Sequence, residues 1–334
     1  MESKRVTLDD VAKAAGVSRA TASRALTGAG SSSAEVRLRV SQVAAALGFT
    51  PNHAARALAS NRAHAVALMI PEPNTLVLND QFLGGIINGV SEAFLDTDYQ
   101  LILVIVRPDE GSGKAWRLLQ PSYVDGAIVV SHHHGSRAIG NESVPMVYVG
   151  RPGEVDTTLY VDVDNVCSGR LATERLLERG ARRIACVAGP EDMTPVADRL
   201  WGWHEALRNA GVPLGHFAHV PFTLTGGIDA MRRLLDQDSG IDGVFAQSDL
   251  LATGAIEVLH ERHQVVGKDV FVVGVDDSEL ARTTTPHLTS VTNPSSELAA
   301  RASRMLLRML EDGLEPADVA PEIVAPELVL RESA

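Results

Sequence analysis

The chain is short of aromatic residues, 4% of the total, and holds only two cysteines, Cys167 and Cys186. Two thiols make neither a disulfide framework nor a zinc-ligand spacing, which points to a reducing, cytoplasmic setting. No apolar run approaches the roughly 18–20 residues of a bilayer span, so no membrane segment is expected. Met1-Glu2-Ser3-Lys4-Arg5 runs into polar helix signals without an apolar stretch, and a secretory leader is not expected either. Positive charge is also scarce: 30 Lys and Arg against 42 Asp and Glu give a net charge of −12. Spread evenly, that balance would argue against nucleic acid as a partner.

The charge is uneven. Residues 1–60 hold eight basic and four acidic side chains, a net of +4, leaving −16 on the remainder. A basic head can engage phosphates while an acidic body repels DNA and limits indiscriminate coating. The 334 residues, 45% hydrophobic, suit two or three domains of an Ala/Val/Leu-rich α/β protein.

In the head, Thr7-Leu8-Asp9-Asp10 has capping-box spacing, and Leu8, Val11, Ala12 and Ala15 mark one helical face. Gly16 permits the left-handed turn that stops the helix. Ser18 caps a second helix with Ala22, Ala25 and Leu26 inward and Arg19, Ala20, Thr21, Ser23 and Arg24 outward; Val17 plugs the turn. After Gly28-Ala29-Gly30, a third helix is expected from Ser32 or Ser33 to Leu47, with Val36, Val40, Val43, Ala44 and Leu47 on one side. Hydroxyls and helix N-terminal amides suit phosphates, and arginine suits guanine edges, so the outer face of the second helix predicts a DNA-reading helix-turn-helix. Residues 51–60 offer about two turns of helix-forming sequence, too short to be stable alone, and are expected to order on binding.

From residue 65 apolar strand-like runs alternate with helices. Ala65–Ile70, Leu101–Val106, Gly126–Val130 and Met146–Val149 form one series; Ile184–Ala188, Gly243–Ala246 and Val270–Val275 form another. Helices are expected at Cys167–Arg179, Asp198–Ala210 and Thr253–Glu261, and a last strand at Ile323–Leu330. Such alternation predicts two doubly wound parallel sheets with a ligand cleft at their strand C-terminal ends.

Val6-Thr7-Leu8-Asp9-Asp10-Val11-Ala12-Lys13-Ala14-Ala15-Gly16-Val17-Ser18, then Thr21-Ala22-Ser23-Arg24, resembles the head of the lactose- and purine-repressor (LacI-type) family. So does Gly48-Phe49-Thr50-Pro51-Asn52, similar to that family's hinge entry. In the body the resemblance continues through Val124-Asp125-Gly126-Ala127-Ile128-Val129, Val163-Asp164-Asn165, Arg199-Leu200-Trp201-Gly202-Trp203 and Val273-Gly274-Val275-Asp276-Asp277. It covers essentially the whole chain.

The resemblance implies a helix-turn-helix head over residues 1–50, a hinge over 51–62 and a periplasmic-binding-protein-like body over 63–334. Within the body it implies an N-subdomain of about 63–162 plus 293–322 and a C-subdomain of about 163–292 plus 323–334. Arg19 and Ala20 would read bases, with Arg24 a lower contact. Leu58 would be a minor-groove wedge in paired hinge helices, with Asn52 a contact near their start and His53 an unusual entry. Arg199 and Asp276 would fix effector hydroxyls, with Phe82 and Phe222 as aromatic platforms and Ser248 and Asp249 as a polar pair. The sequence departs from the family at Asp80-Gln81-Phe82-Leu83, where Asp80 is itself an expected effector contact, preceded by a longer loop at Glu72–Asn79, and at Gly150-Arg151 and Ser248-Asp249. Effector identity therefore stays at a small polar metabolite, with a sugar favoured.

Two motifs are set aside. His132-His133-His134 alternates faces on an extended strand end, which does not suit one metal; His132 is the member expected to face the cleft. Gly111-Ser112-Gly113-Lys114 lacks the first P-loop glycine, replaced by Pro108, and the magnesium-holding hydroxyl, replaced by Ala115. No cofactor is implied.

The leading reading is a cytoplasmic, effector-responsive regulator, nucleoid-associated when bound, that binds operator double-stranded DNA as a homodimer, in the manner of a repressor. The chain stops soon after its last strand without a leucine heptad tail, so a dimer is expected rather than a tetramer. A solute-binding protein sharing the two-lobed body is the alternative, against which the DNA-reading head weighs. An enzyme is the third, and no nucleophile elbow, metal triad or dinucleotide fingerprint supports it.

Overall fold

The computed structural model describes residues 6–27, 32–49, 62–106, 117–131, 133, 143–153 and 159–334. The chain divides into two compact units, Met1–Arg62 and Ala63–Ala334.

The first unit holds α1 (Leu8–Ala15), α2 (Arg19–Thr27) and α3 (Ala34–Leu47). The capping box is made: the Thr7 hydroxyl accepts from the Asp10 N–H, and the Asp10 carboxylate accepts from the Thr7 N–H at 2.9 Å. Gly16 ends α1 at φ +66°, a conformation that would strain any residue with a Cβ. Ser33 caps α3. Val11, Ala12, Ala15, Ala22, Ala25, Val40 and Ala44 form the core, small residues that let three short helices cross closely. Leu47, expected on the packed side, is 40% exposed; Phe49, beyond the Gly48 turn, packs against the core instead.

The second unit has two six-stranded sheets. The first contains β1 (Ala65–Ile70), β2 (Gln100–Ile105), β3 (Gly126–Val130), β4 (Met146–Val149), β5 (Leu159–Val163) and β11 (Glu322–Val324), ordered β11-β5-β4-β3-β1-β2 and all parallel. The second contains β6 (Ile184–Ala188), β7 (Phe217–His219), β8 (Gly243–Ala246), β9 (Phe271–Asp276), β10 (Thr289–Thr292) and β12 (Leu328–Val329), ordered β12-β10-β9-β8-β6-β7. Only β12 among these is antiparallel, against β10. In β1, Val66, Leu68 and Ile70 enter one core layer while Ala65, Ala67 and Met69 enter the other. Burial on both faces is why this strand reads as a continuous apolar run.

Helices cover the sheets. Those that place the cleft residues are α4 (Asn74–Asn79), α5 (Gln81–Phe94), α6 (Asn165–Glu178), α7 (Thr194–Asn209), α8 (Leu224–Gln237) and α9 (Asp249–Glu261). After α10 (Glu279–Thr283), α11 (Ser295–Asp312) returns to the first sheet, where Leu298, Ala302, Met305 and Leu306 join its core.

Two expectations need correction. The stretch Glu72–Asn79 is not a plain loop, since Asn74–Asn79 closes into α4 after Pro73. The single final strand Ile323–Leu330 is two strands: Glu322–Val324 pairs with β5 in the first sheet, and Leu328–Val329 pairs with β10 in the second. Pro326 lies between them and, lacking an N–H, cannot continue a ladder. Ile323 and Val324 thus sit with the first lobe. Among the described residues the chain crosses between lobes three times, at 163–165, 292–295 and 324–328.

Candidate functional site

In the head unit, α2 turns Ser18, Arg19, Ala20 and Arg24 to solvent, with Thr21 and Ser23 half-buried. Ser18 begins the helix, its Oγ accepting from the Thr21 N–H at 3.1 Å and sharing a 2.8 Å hydrogen bond with the Thr21 hydroxyl. Arg19 Nη1 lies 3.6 Å from Asp9 Oδ2, both well exposed, a pair of little energetic weight that a phosphate or base could displace. Asn52, His53 and Leu58 lie outside the described residues.

In the body, a cleft with about 790 Å³ of empty space, part of it open to solvent, lies between the sheets. Its walls come from strand C-terminal ends: Glu72 after β1, Ser131 after β3, Arg151 after β4, Phe222 after β7, Ser248 after β8 and Asp276 at the tip of β9. This is where parallel α/β sheets leave backbone ends and side chains free to meet ligands. Of the expected residues, Asp80, Phe82, Arg199, Phe222, Ser248 and Asp276 line it together. His132 lies outside the described residues.

Asp249 does not line the cleft. It is 1% exposed, its Oδ1 accepting from Ser290 Oγ at 2.6 Å and its Oδ2 from the Ser278 N–H and Oγ–H, both at 2.8 Å. Those bonds tie the start of α9 to β10 and to the turn after β9, so this carboxylate braces Asp276 from behind. Burial raises its pKa to about 6.

Arg199 is the centre of the second lobe's wall. It is 5% exposed, donating from Nε to Asn165 Oδ1 at 2.8 Å and from Nη1 to the Gln247 carbonyl at 2.7 Å. Burial pushes its pKa down, opposed first by Asp276 and then by Asp162, Asp198 and Asp249. Asn165 reaches Arg199 because α6 and α7 nearly touch. A Cβ at Gly169 would lie 2.0 Å from the Arg199 carbonyl oxygen, and one at Gly202 2.1 Å from that of Val166. Asn165 in turn donates to Asp162 Oδ1 at 3.0 Å, and Asp162 Oδ2 accepts from the Arg151 N–H at 2.8 Å.

Asp276 has φ +114° and Asp277 φ +49°, costly for residues with side chains. Arg331 Nη2 holds Asp277 at 2.5 Å, while Asp276 Oδ1 accepts from Asn293 Nδ2 at 3.0 Å. Asn293 sits on the 292–295 crossover, so the carboxylate facing the cleft is bonded to the strand joining the lobes. Burial, and then the charge of Asp249, raise the Asp276 pKa well above the carboxylate range. Asp80 caps α5, accepting from the Phe82 N–H at 2.8 Å, and burial raises its pKa to about 6. Phe222 lies over Gly189, where any Cβ would strike its ring at 2.2 Å.

Sequence reasoning missed the ion pairs that cross the cleft. Arg151 of the first lobe donates to Asp198 of α7 at 2.6 Å, and that bond raises the arginine's pKa. His133 Nε2 lies 3.0 Å from the buried Glu72 Oε1, while its Nδ1 lies 2.9 Å from Asp192 Oδ1 in the second lobe. Ser131 Oγ donates to the same Glu72 oxygen at 2.5 Å. The bond to Glu72 leads the effects raising the His133 pKa to about 9, so the ring is an imidazolium at neutral pH. The signal was present in His132-His133-His134 beside a strand end, but its partners Glu72 and Asp192 lie far off in sequence.

Among the described residues no group of three His, Cys, Asp or Glu side chains is placed to hold a metal, and no helix is long and apolar enough to cross a membrane.

Comparison with known proteins agrees with this architecture. Residues 7–52 match the family described as bacterial regulatory proteins, lacI family, and residues 173–334 match the periplasmic binding protein-like domain. The HTH-type transcriptional regulator CelR of Thermobifida fusca is 37% identical over 99% of this chain and 98% of its own length. The ribose operon repressor of Escherichia coli (strain K12) is 32% identical over 91% of this chain and 93% of its own. A solved structure of a transcriptional regulator CelR–cellobiose complex superposes with a TM-score of 0.77 at 36% identity, covering 99% of this chain and 100% of that one. With a DNA-reading head, a two-lobed ligand cleft and relatives matched along nearly their whole length, this chain belongs to the lacI family of bacterial regulatory proteins.

Proposed function

We propose that this chain is a saccharide-responsive repressor that binds a near-palindromic operator as a homodimer through α2 and the 51–62 segment. The observation that carries the reading is the cleft: a buried guanidinium (Arg199), a cleft-facing carboxylate (Asp276) and two aromatic faces, Phe82 and Phe222, set on opposite lobes. Donors, acceptors and apolar ring faces in one enclosure are what a polyhydroxylated molecule presents and requires. The cellobiose complex of a relative 36% identical supports a saccharide here.

Arg19, Ala20 and Arg24 are assigned to base and lower groove contacts, and Ser18, Thr21 and Ser23 to the phosphate-facing side of α2. Asn52, His53 and Leu58 are assigned to the minor groove. One head covers one half-site, which favours a two-fold dimer. Ligand in the cleft changes how the lobes sit, and the crossover held by Asn293 carries that change; this makes the chain a cytoplasmic switch rather than an enzyme.

The test is a thermal-shift series with cellobiose and other neutral saccharides, repeated on Asp276→Ala, alongside operator binding with and without the stabilising saccharide. Stabilisation of the wild type that is absent from Asp276→Ala, with altered operator affinity, is the expected result. Stabilisation that survives Asp276→Ala would place the ligand elsewhere.

A further inference from the structure

The two acids in the first turn of α1 do different things. Asp10 is committed to the cap, its Oδ2 accepting from the Thr7 N–H at 2.9 Å and from the Thr7 hydroxyl at 2.7 Å. Asp9 turns to the neighbouring helix, where its Oδ2 lies 3.6 Å from Arg19 Nη1. Asp9 is the second residue of α1 and Arg19 the first of α2. Their meeting is set by two helices that share the core of Val11, Ala15, Ala22 and Ala25. The turn between them is closed where the Val17 N–H donates to the Ala12 carbonyl at 3.0 Å.

An acid beside a DNA-facing arginine costs affinity, because it repels phosphates. The dipole of α1 favours an acid in its first turn, but Asp10 already supplies one. The ion pair engages Nη1 of Arg19 and leaves the Nε–Nη2 edge, two parallel donors of the kind that match O6 and N7 of guanine. Arg19 is also the one long side chain among Arg19, Ala20 and Thr21 at the start of α2, so neither of its helical neighbours there can steady it.

We infer that Asp9 is a positioning residue for operator reading: it holds Arg19 by Nη1, aims the other edge at a guanine and keeps the guanidinium from swinging to a phosphate. This rests on the assignment of Arg19 to a base contact above and deepens it. A pair this exposed adds little stability, and its effect is on choice of sequence. Facing a guanine, Arg19 uses its Nε–Nη2 edge and keeps Asp9. Facing an unrelated sequence, it reaches a phosphate only by giving Asp9 up and leaving a lone carboxylate toward the DNA. Both effects widen the gap between cognate and non-cognate binding.

The experiment uses the full chain as wild type, Asp9→Asn, Arg19→Ala and the double variant. Duplexes are first selected from a randomised library by the wild type. Each protein is then titrated, across a range of salt, against the selected duplex, its base-substituted versions and a duplex lacking the motif. Asp9→Asn is expected to lose about fivefold to tenfold of the guanine preference at the position Arg19 reads. It should bind the unrelated duplex about twofold to fivefold more tightly, with a salt slope steeper by about one per head as Arg19 takes a phosphate. That steepening should be absent when Asp9→Asn is combined with Arg19→Ala. An undiminished guanine preference in Asp9→Asn, or a steepening that persists without Arg19, overturns the inference while leaving Arg19 a base contact. If Arg19→Ala leaves every base preference intact, or the library yields no enriched sequence, the base assignment itself fails and this inference falls with it.

Discussion

The two lobes approach the cleft with different kinds of wall. On the second lobe the polar groups are fixed within the lobe or to the crossover: Arg199 by Asn165 and Gln247, Asp249 by Ser278 and Ser290, Asp276 by Asn293. On the first lobe, Arg151 finds its charge partner across the gap in Asp198, and His133 bridges Glu72 of its own lobe to Asp192 of the other. One wall is a preorganised template; the other is a cover fastened to it by ion pairs. A ligand that rearranges those pairs changes how the lobes sit without first having to build its own site.

The sharpest way to break the template is to separate its helices. Gly202→Ala puts a Cβ against the Val166 carbonyl. It should cost about 2–4 kcal/mol in chemical denaturation and weaken saccharide binding with it, because Asn165 would lose its hold on Arg199. A variant as stable as the wild type would show that α6 and α7 tolerate separation.

Asp276→Asn should separate function from stability. Saccharide affinity should fall about 100-fold by calorimetry, while the ligand-free chain should be as stable as the wild type or more so at neutral pH, since a buried carboxylate repelled by Asp249 is removed. Loss of stability together with affinity would mean that its bond to Asn293 outweighs the repulsion.

The cover should respond to pH through His133. Its pKa is raised from 6.5 to about 9 in the folded chain, so its stabilisation is complete below about 6.5 and is lost as pH rises through about 9. His133→Ala should lower the melting temperature at pH 7 by several degrees, the size expected for about 1–2 kcal/mol after discounting for partial exposure, and flatten that alkaline decline. An alkaline decline of undiminished slope in the variant would assign it to other groups.

The smallest effect lies outside both lobes. Arg19→Ala should leave stability within about 0.5 kcal/mol and cost about 1–2 kcal/mol at one or two operator positions, read by binding to base-substituted operators. Equal weakening on every sequence would make Arg19 a phosphate contact instead.

The residues that the sequence exposes most readily carry a local physical signature. Thr7 and Asp10, Gly16 and Ser33 are caps whose partners lie within a few positions, and their hydrogen bonds form as the spacing predicts. The apolar runs of β1, β3, β4, β6 and β8 needed only a count of consecutive hydrophobic residues, because burial on both faces removes alternation. Short elements were harder. β7 and β11 span three residues each and offer no period to read. Arg199, Asp276 and the two phenylalanines were reached through resemblance, and six of the eight expected effector residues meet in one cleft.

What the sequence by itself determined is therefore the inventory of this protein: a capped helix-turn-helix, two sets of buried strands, and an acidic body with a few polar groups at strand ends. Tertiary structure alone decided which of those groups face one another. Asp249 reads as half of a cleft pair and is a brace, because Ser278 and Ser290 saturate it from the far side. His133, one of three consecutive histidines, becomes a cation spanning the lobes because folding brings Glu72 and Asp192 to its two nitrogens. Caps and buried strands are set by interactions between near neighbours in the chain. Charge partners across a cleft are set by sheets that assemble from distant segments, and no local pattern encodes that meeting.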